Sequence, residues 1–227
     1  MIPGNGADNH VTHTQVGLAL GRQIRSVDAQ VVGELIRNFV HRHKDAFTIE
    51  TAQLGTARSQ KVSDDLWQVS IPQEVNGIRV RYGRLAATIS HGNLILIGTE
   101  TWGNVLVNTN PSVKANEAVN KGFEYAEGQR PEDQIVAEPA LEIVPTAPLH
   151  LQDGEAFNGP VGQGYDHRLV WAFKFKRSPE QTTWEVMVDA HSGEVISFQD
   201  VNQYATENIR GGVYPLTSTG VCASNDT

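Results

Sequence analysis

Twice along this chain a helical spacing of apolar residues gives way to a strand-like one. The first passage begins with Val32, Leu35, Ile36, Phe39 and Val40, at i, i+3, i+4, i+7 and i+8, which sets one apolar stripe along a helix. Ser26 or Asp28 stands where its N-cap is needed, and Arg42, His43 and Lys44 stand near the C-terminal dipole. The residues before it are rich in Gly, Asn and His, so 1–26 is expected to be a flexible N-terminal segment. After the helix the period falls to two. Trp67, Val69 and Ile71 alternate with polar residues, and Pro72 predicts that this strand ends or lies at an edge. Asn76-Gly77 predicts a tight hairpin, because both central positions of such a turn need positive φ. On the return strand Ile78, Val80 and Tyr82 alternate with Arg79 and Arg81. Leu85, Ala87 and Ile89 then carry on the apolar face one residue out of phase, which predicts a β-bulge at Gly83. After a turn at Ser90-His91-Gly92-Asn93, Leu94-Ile95-Leu96-Ile97-Gly98 reads as a more fully buried strand.

The second passage repeats the order. Asn110-Pro111-Ser112 starts a helix with Ser112 as the expected N-cap. Ala115, Ala118, Val119, Gly122 and Ala126 form its small-residue face, and Gly128 ends it. A short strand is expected over 140–144 and a mobile loop over 145–167. Leu169, Trp171, Phe173 and Phe175 then alternate against Lys174 and Lys176, and Trp184, Val186, Val188 and Ala190 alternate against Glu185, Met187 and Asp189. Asp189 is expected to hold the following tight turn through its amides, with Gly193 supplying positive φ, before a last strand over 194–200. Trp67, Trp171 and Trp184 are core candidates, while the pattern leaves Trp102 unplaced. The expected class is α+β: two tandem modules, each a helix packed on an antiparallel β-sheet, over 27–109 and 110–201.

Charge and composition narrow the function. The 227 residues carry a net charge of -8, which argues against a nucleic-acid partner. No run of about 18 apolar residues is present, so no membrane span is expected. The opening Met1-Ile2-Pro3-Gly4-Asn5-Gly6 has neither the basic nor the apolar stretch of a secretion signal. Cys222 is the single cysteine and has no partner within the chain. It is a free thiol or half of a bond to sequence beyond Thr227.

Particular residues carry a family resemblance. Glu34-Leu35-Ile36-Arg37-Asn38-Phe39-Val40 with Phe47, and Trp67-Gln68-Val69 through Gln73-Glu74-Val75-Asn76-Gly77-Ile78-Arg79-Val80 to Gly92-Asn93-Leu94, resemble the fungalysin/thermolysin propeptide (FTP) module. Leu169-Val170-Trp171 with Trp184-Glu185-Val186-Met187-Val188-Asp189-Ala190-His191-Ser192-Gly193-Glu194-Val195 is similar to the PepSY domain. The resemblance spans roughly residues 27 to 200 and implies tandem cystatin-like modules. It implies the prosegment of a secreted zinc metalloendopeptidase, acting as intramolecular chaperone and inhibitor. The implied partner is the cognate protease catalytic domain, in cis or after cleavage. Zinc, and calcium with it, is expected in that domain and no cofactor in this chain. If the tail belongs to a longer secreted precursor, Cys222 is expected to pair with a downstream cysteine. Residues 202–227, with Arg210-Gly211-Gly212-Val213-Tyr214-Pro215, would be the junction to the mature enzyme or its start.

The chain's own chemistry is sparse. It has no H-E-x-x-H helix for zinc, so no catalytic residue is assigned. His10 and His13 lie in the flexible segment, and His41 and His43 point to different faces of a helix, so no metal site is assigned. Arg79, Arg81 and Arg84 form a small basic group on the hairpin: a solvated sheet face, or a contact to an acidic protease surface. Two further classes stay open, a stand-alone extracytoplasmic protein that binds a peptidase in trans and an enzyme with an unrecognised site. A downstream H-E-x-x-H domain separates the prosegment from the stand-alone protein.

Overall fold

The computed structural model describes residues 13–148, 151, 155–179 and 182–202, arranged as an α+β fold with helices packed on a large sheet. The first helix, α1 (His13–Leu20), lies within the segment expected to be flexible. Val16 is 1% exposed and belongs to the first core, so burial orders a short stretch that lacks strong helix signals. α2 (Ala29–Arg42) starts at Asp28, whose carboxylate accepts from the Val31 amide at 2.9 Å, and a short helical turn, α3 (Lys44–Phe47), follows it. Val31, Val32, Leu35, Ile36 and Val40 of α2 meet Val69, Ile71, Leu85, Ala87 and Ile89 of the sheet. The predicted apolar stripe is therefore the buried face of α2.

Four strands make the first part of the sheet, in the order β1 (Arg58–Ser63), β2 (Leu66–Val75), β3 (Ile78–Ser90) and β4 (Asn93–Glu100), all antiparallel. β1 has no alternating pattern and was not predicted. Its presence makes β2 an interior strand, and β2 runs on through Pro72. Pro72 lies past the end of the β1 pairing at Ser70, and its carbonyl accepts from the Gly55 amide at 2.8 Å. The Asn76-Gly77 turn has φ of 52° and 78°. The expected bulge is present but longer than one residue: residues 80–83 of β3 face the gap between Pro72 and Glu74. Its left-handed residue is Tyr82, φ 63°, which is 67% exposed rather than part of the apolar face. β4 also differs from expectation. It is an edge strand paired only with β3 among the described residues, and Ile95 and Leu96 are 61% and 62% exposed. A run of four aliphatic residues looks alike at a buried strand and at an uncovered edge.

The second part consists of α4 (Ala115–Tyr125) over β5 (Gln134–Thr146), β6 (Asp166–Lys176), β7 (Thr183–Asp189) and β8 (Val195–Asp200), paired antiparallel in that order. Ser112 is not the cap of α4. Its amide and that of Val113 donate to the Ala190 carbonyl, and the helix begins past Lys114. Gly122 lets α4 lie close to the sheet, since a Cβ there would stand 2.6 Å from Phe173 Cζ. Arg177 closes the other end. It donates to both Asp133 carboxylate oxygens and to the carbonyls of Ala126 and Gly128, which satisfies acceptors at the C-terminal end of α4.

The two parts form one continuous eight-stranded sheet. Val80 of β3 pairs in parallel with Ile143 of β5, across the predicted boundary at 109/110. Val80, Val105, Ile143, Leu169 and Ala190 make a core at this joint. Beside it Gln73, fully buried, donates to Gln53 Oε1 at 2.9 Å and to the Gly103 carbonyl at 2.7 Å. Trp102 is 2% exposed. The loop expected to be mobile is docked where it is described: the Asn104 amide donates to the Gly162 carbonyl at 2.7 Å.

Candidate functional surface

Among the described residues both sheet halves have a face that carries no helix, and the three arginines sort themselves between them. Arg81 is part of a closed network. Its Nε is 2.7 Å from Glu142 and its Nη1 2.7 Å from Glu185. Lys174 Nζ lies 3.2 Å from Glu185, and Gln199 Nε2 donates to it at 3.1 Å. The side chains of Arg81 and Glu185 are 15% and 5% exposed. Burial alone would raise the Glu185 carboxyl, but the hydrogen bonds and charge of Arg81 outweigh it and hold the group below its ordinary range. Burial likewise disfavours the charged Arg81, and its bonds to Glu185 and Glu142 more than offset this. Such a group joins β3, β5, β6, β7 and β8 and has little left to offer a partner.

Arg84 is different. It makes a two-pronged pair with Glu100 at 2.8 and 3.0 Å, at about half exposure. It borders a shallow trough of about 380 Å³ floored by Ser70, Ala86 and Thr88 and rimmed by Arg58, Gln60 and Gln68. The register explains the trough. Ser70, Ala86 and Gly98 lie in one row across β2, β3 and β4, and Gln68, Thr88 and Leu96 in the next. These alternate with Val69, Ala87 and Ile97, which face α2. Arg79 is exposed beside the hairpin turn. Between the arginines stands Tyr82, an exposed aromatic in a backbone conformation that a non-glycine residue adopts at a cost. The sequence pattern had assigned it inward, and only the bulge's three-dimensional course turns it out.

The remaining candidates are structural in their contacts. The Asp189 carboxylate accepts from the amides of His191 and Ser192, both at 2.9 Å, and Gly193 has φ 74°. Burial opposes the charged form of Asp189, and those amides outweigh it and lower the carboxyl. His191 has one ring nitrogen 2.9 Å from the Asn108 carbonyl and the other 3.4 Å from Ser112 Oγ, so it ties the inter-module linker to this turn. His41 lies 3.4 Å from Thr51 Oγ1, and the His43 ring packs against Phe39. No group of three metal-ligating side chains occurs among the described residues. His10 and Cys222 lie outside the described residues, as does the junction from residue 203 onward.

No protein-family model matches the chain, and no curated protein matches it in sequence. Among solved structures it is similar to the Bacillus megaterium YpeB C-terminal domain, with 11% identity and a TM-score of 0.34 over 79% of this chain and 68% of that one. No helix of the described residues is long and apolar enough to cross a membrane.

Proposed function

We propose that this chain is a non-catalytic protein-binding module, the prosegment of a secreted zinc metalloendopeptidase, which assists folding of its protease and inhibits it. The sequence resemblance over 27–200 supports the class of partner. The observation that carries protein binding is Tyr82, held exposed on a strained bulge two residues before Arg84, which itself borders an open small-residue trough. Tyr and Arg are the side chains over-represented where protein interfaces concentrate their energy. In this reading the zinc belongs to the protease domain, and this chain supplies a surface that binds the native protease and not its unfolded form. Binding then favours the folded side by mass action, and covalent linkage raises the effective concentration to about the millimolar range.

The test refolds the denatured zinc endopeptidase domain of the same precursor with and without an equimolar amount of this chain, and then titrates activity. Higher recovery of enzyme together with inhibition at excess chain is expected. Equal recovery without inhibition would refute the reading.

A further inference from the structure

The edges of the sheet are not alike: β8, at one end of the order, keeps Val195, Ile196 and Phe198 half-buried. β1 carries Arg58 and Lys61 and a register slip, and the part of β5 beyond its pairing with β3 carries Glu138, Pro139 and two register slips. Charges, prolines and bulges are the devices that keep an edge from pairing with another chain. β4 has one slip, where Ile95 is the extra residue, but no lysine, arginine or proline. Its one charge, Glu100, is already paired with Arg84. Four aliphatic residues in succession, Leu94 to Ile97, lie along it, and two of them are more than half exposed.

We infer that β4 is a homodimerisation strand that pairs antiparallel with β4 of a second copy and extends the sheet across a two-fold axis. The sequence of β4 suits its own copy. With the axis at Ile97, Leu96 of each strand falls opposite Gly98 of the other, on the helix-free face. Nothing stands within 4 Å of the position a Cβ would take on Gly98, so the site has room for the incoming leucine. Ile97 meets its own copy and Ile95 falls opposite Thr99 on the other face, while the two Glu100 side chains lie at opposite ends. No like charges meet. The pairing buries Ile95 and Leu96 and occupies edge amides and carbonyls of β4 that no strand among the described residues pairs. A second copy is the occupant this pattern favours, because the leucine and the glycine that receives it are both on the same strand.

Sedimentation velocity of the whole chain under reducing conditions, from micromolar to several hundred micromolar, tests this. A concentration-dependent dimer is expected. Leu96→Lys places a charge one residue from the axis, and Gly98→Val fills the leucine's seat with a strand-favouring residue. Each is expected to weaken the dimer about tenfold or more while leaving the circular dichroism unchanged. A wild-type chain that stays monomeric throughout the range overturns the inference. So does a dimer that both variants form as well as wild type, and so does a monomer whose β4 pairs only with an unrelated extended peptide.

Discussion

Arg81→Met removes a cation that reaches both halves of the sheet while keeping a long apolar stem in place. Glu185, 5% exposed, then keeps Lys174 and Gln199 but loses its two bonds to Arg81, and Glu142 loses its partner. Leaving a buried charge with no partner costs about 3–5 kcal/mol, and since Lys174 remains, about 2–3 kcal/mol is the expected loss. For a chain of this length that corresponds to a fall of about 4–12 °C in Tm. The loss has a pH signature. The folded Glu185 carboxyl lies below its unfolded value, so its contribution is complete above the ordinary glutamate pKa of about 4.3 and disappears as pH falls through the folded value. Urea unfolding of wild type and variant at neutral pH and at successively lower pH reads both quantities. The gap between them should be widest near neutrality and narrow in acid. Adding Glu185→Leu should recover part of the loss, because an apolar replacement of a buried pair is often neutral. A deficit under about 0.5 kcal/mol, well below the range expected for a buried pair, or one that does not change with pH, would refute the reasoning.

Three further substitutions test other parts of the account. Tyr82→Gly relieves a left-handed backbone at a gain of about 1 kcal/mol and adds chain entropy at a similar cost, so unfolding should be nearly unchanged. Inhibition of the protease should nonetheless weaken by about 2 kcal/mol, and retained inhibition would remove Tyr82 from the surface. Gly122→Ala gains about 1 kcal/mol of helix propensity but drives a methyl against Phe173 and Val186, which are 1% and 0% exposed. Overpacking of about 1–3 kcal/mol should win, and a higher Tm would show that α4 can shift outward. Arg177→Met leaves the wholly buried Asp133 side chain without its cation, at an expected cost of about 3–5 kcal/mol by chemical denaturation. The Arg177 hydrogen bond holds Asp133 below the usual carboxylate range, so this deficit too should shrink in acid.

What the sequence made legible was local. The stripe of α2, the Asn76-Gly77 turn and the amide-binding Asp189 each arise from residues a few positions apart, whose own geometry sets the outcome. The illegible parts depend on distant chain. β1, Arg-Ser-Gln-Lys-Val-Ser, is a strand because β2 offers it a ladder and not because of its own pattern. Ile95 and Leu96 of β4 are exposed because nothing among the described residues covers them, a fact about the rest of the molecule. Alternation placed Arg79, Arg81 and Arg84 on polar positions but said nothing of Glu142 and Glu185, which turn Arg81 from a contact candidate into an internal tie. Alternation from Ile78 puts Tyr82 on the apolar face with a slip only at Gly83, whereas the bulge already spans residues 80–83.

The parallel pairing of Val80 with Ile143 also bears on how the chain is made. Synthesis delivers β3 first, and at ordinary elongation rates β5 follows seconds later. During that interval the hairpin can close and α2 can dock, since both are encoded upstream. Val80 and Arg81, however, wait with their partners still in the ribosome. Until β5 and β7 emerge, Val80 and Arg81 at that end of β3 lack the partners they have in the complete sheet. A fragment cut off before β5 would keep that end of β3 without Ile143 and Glu142.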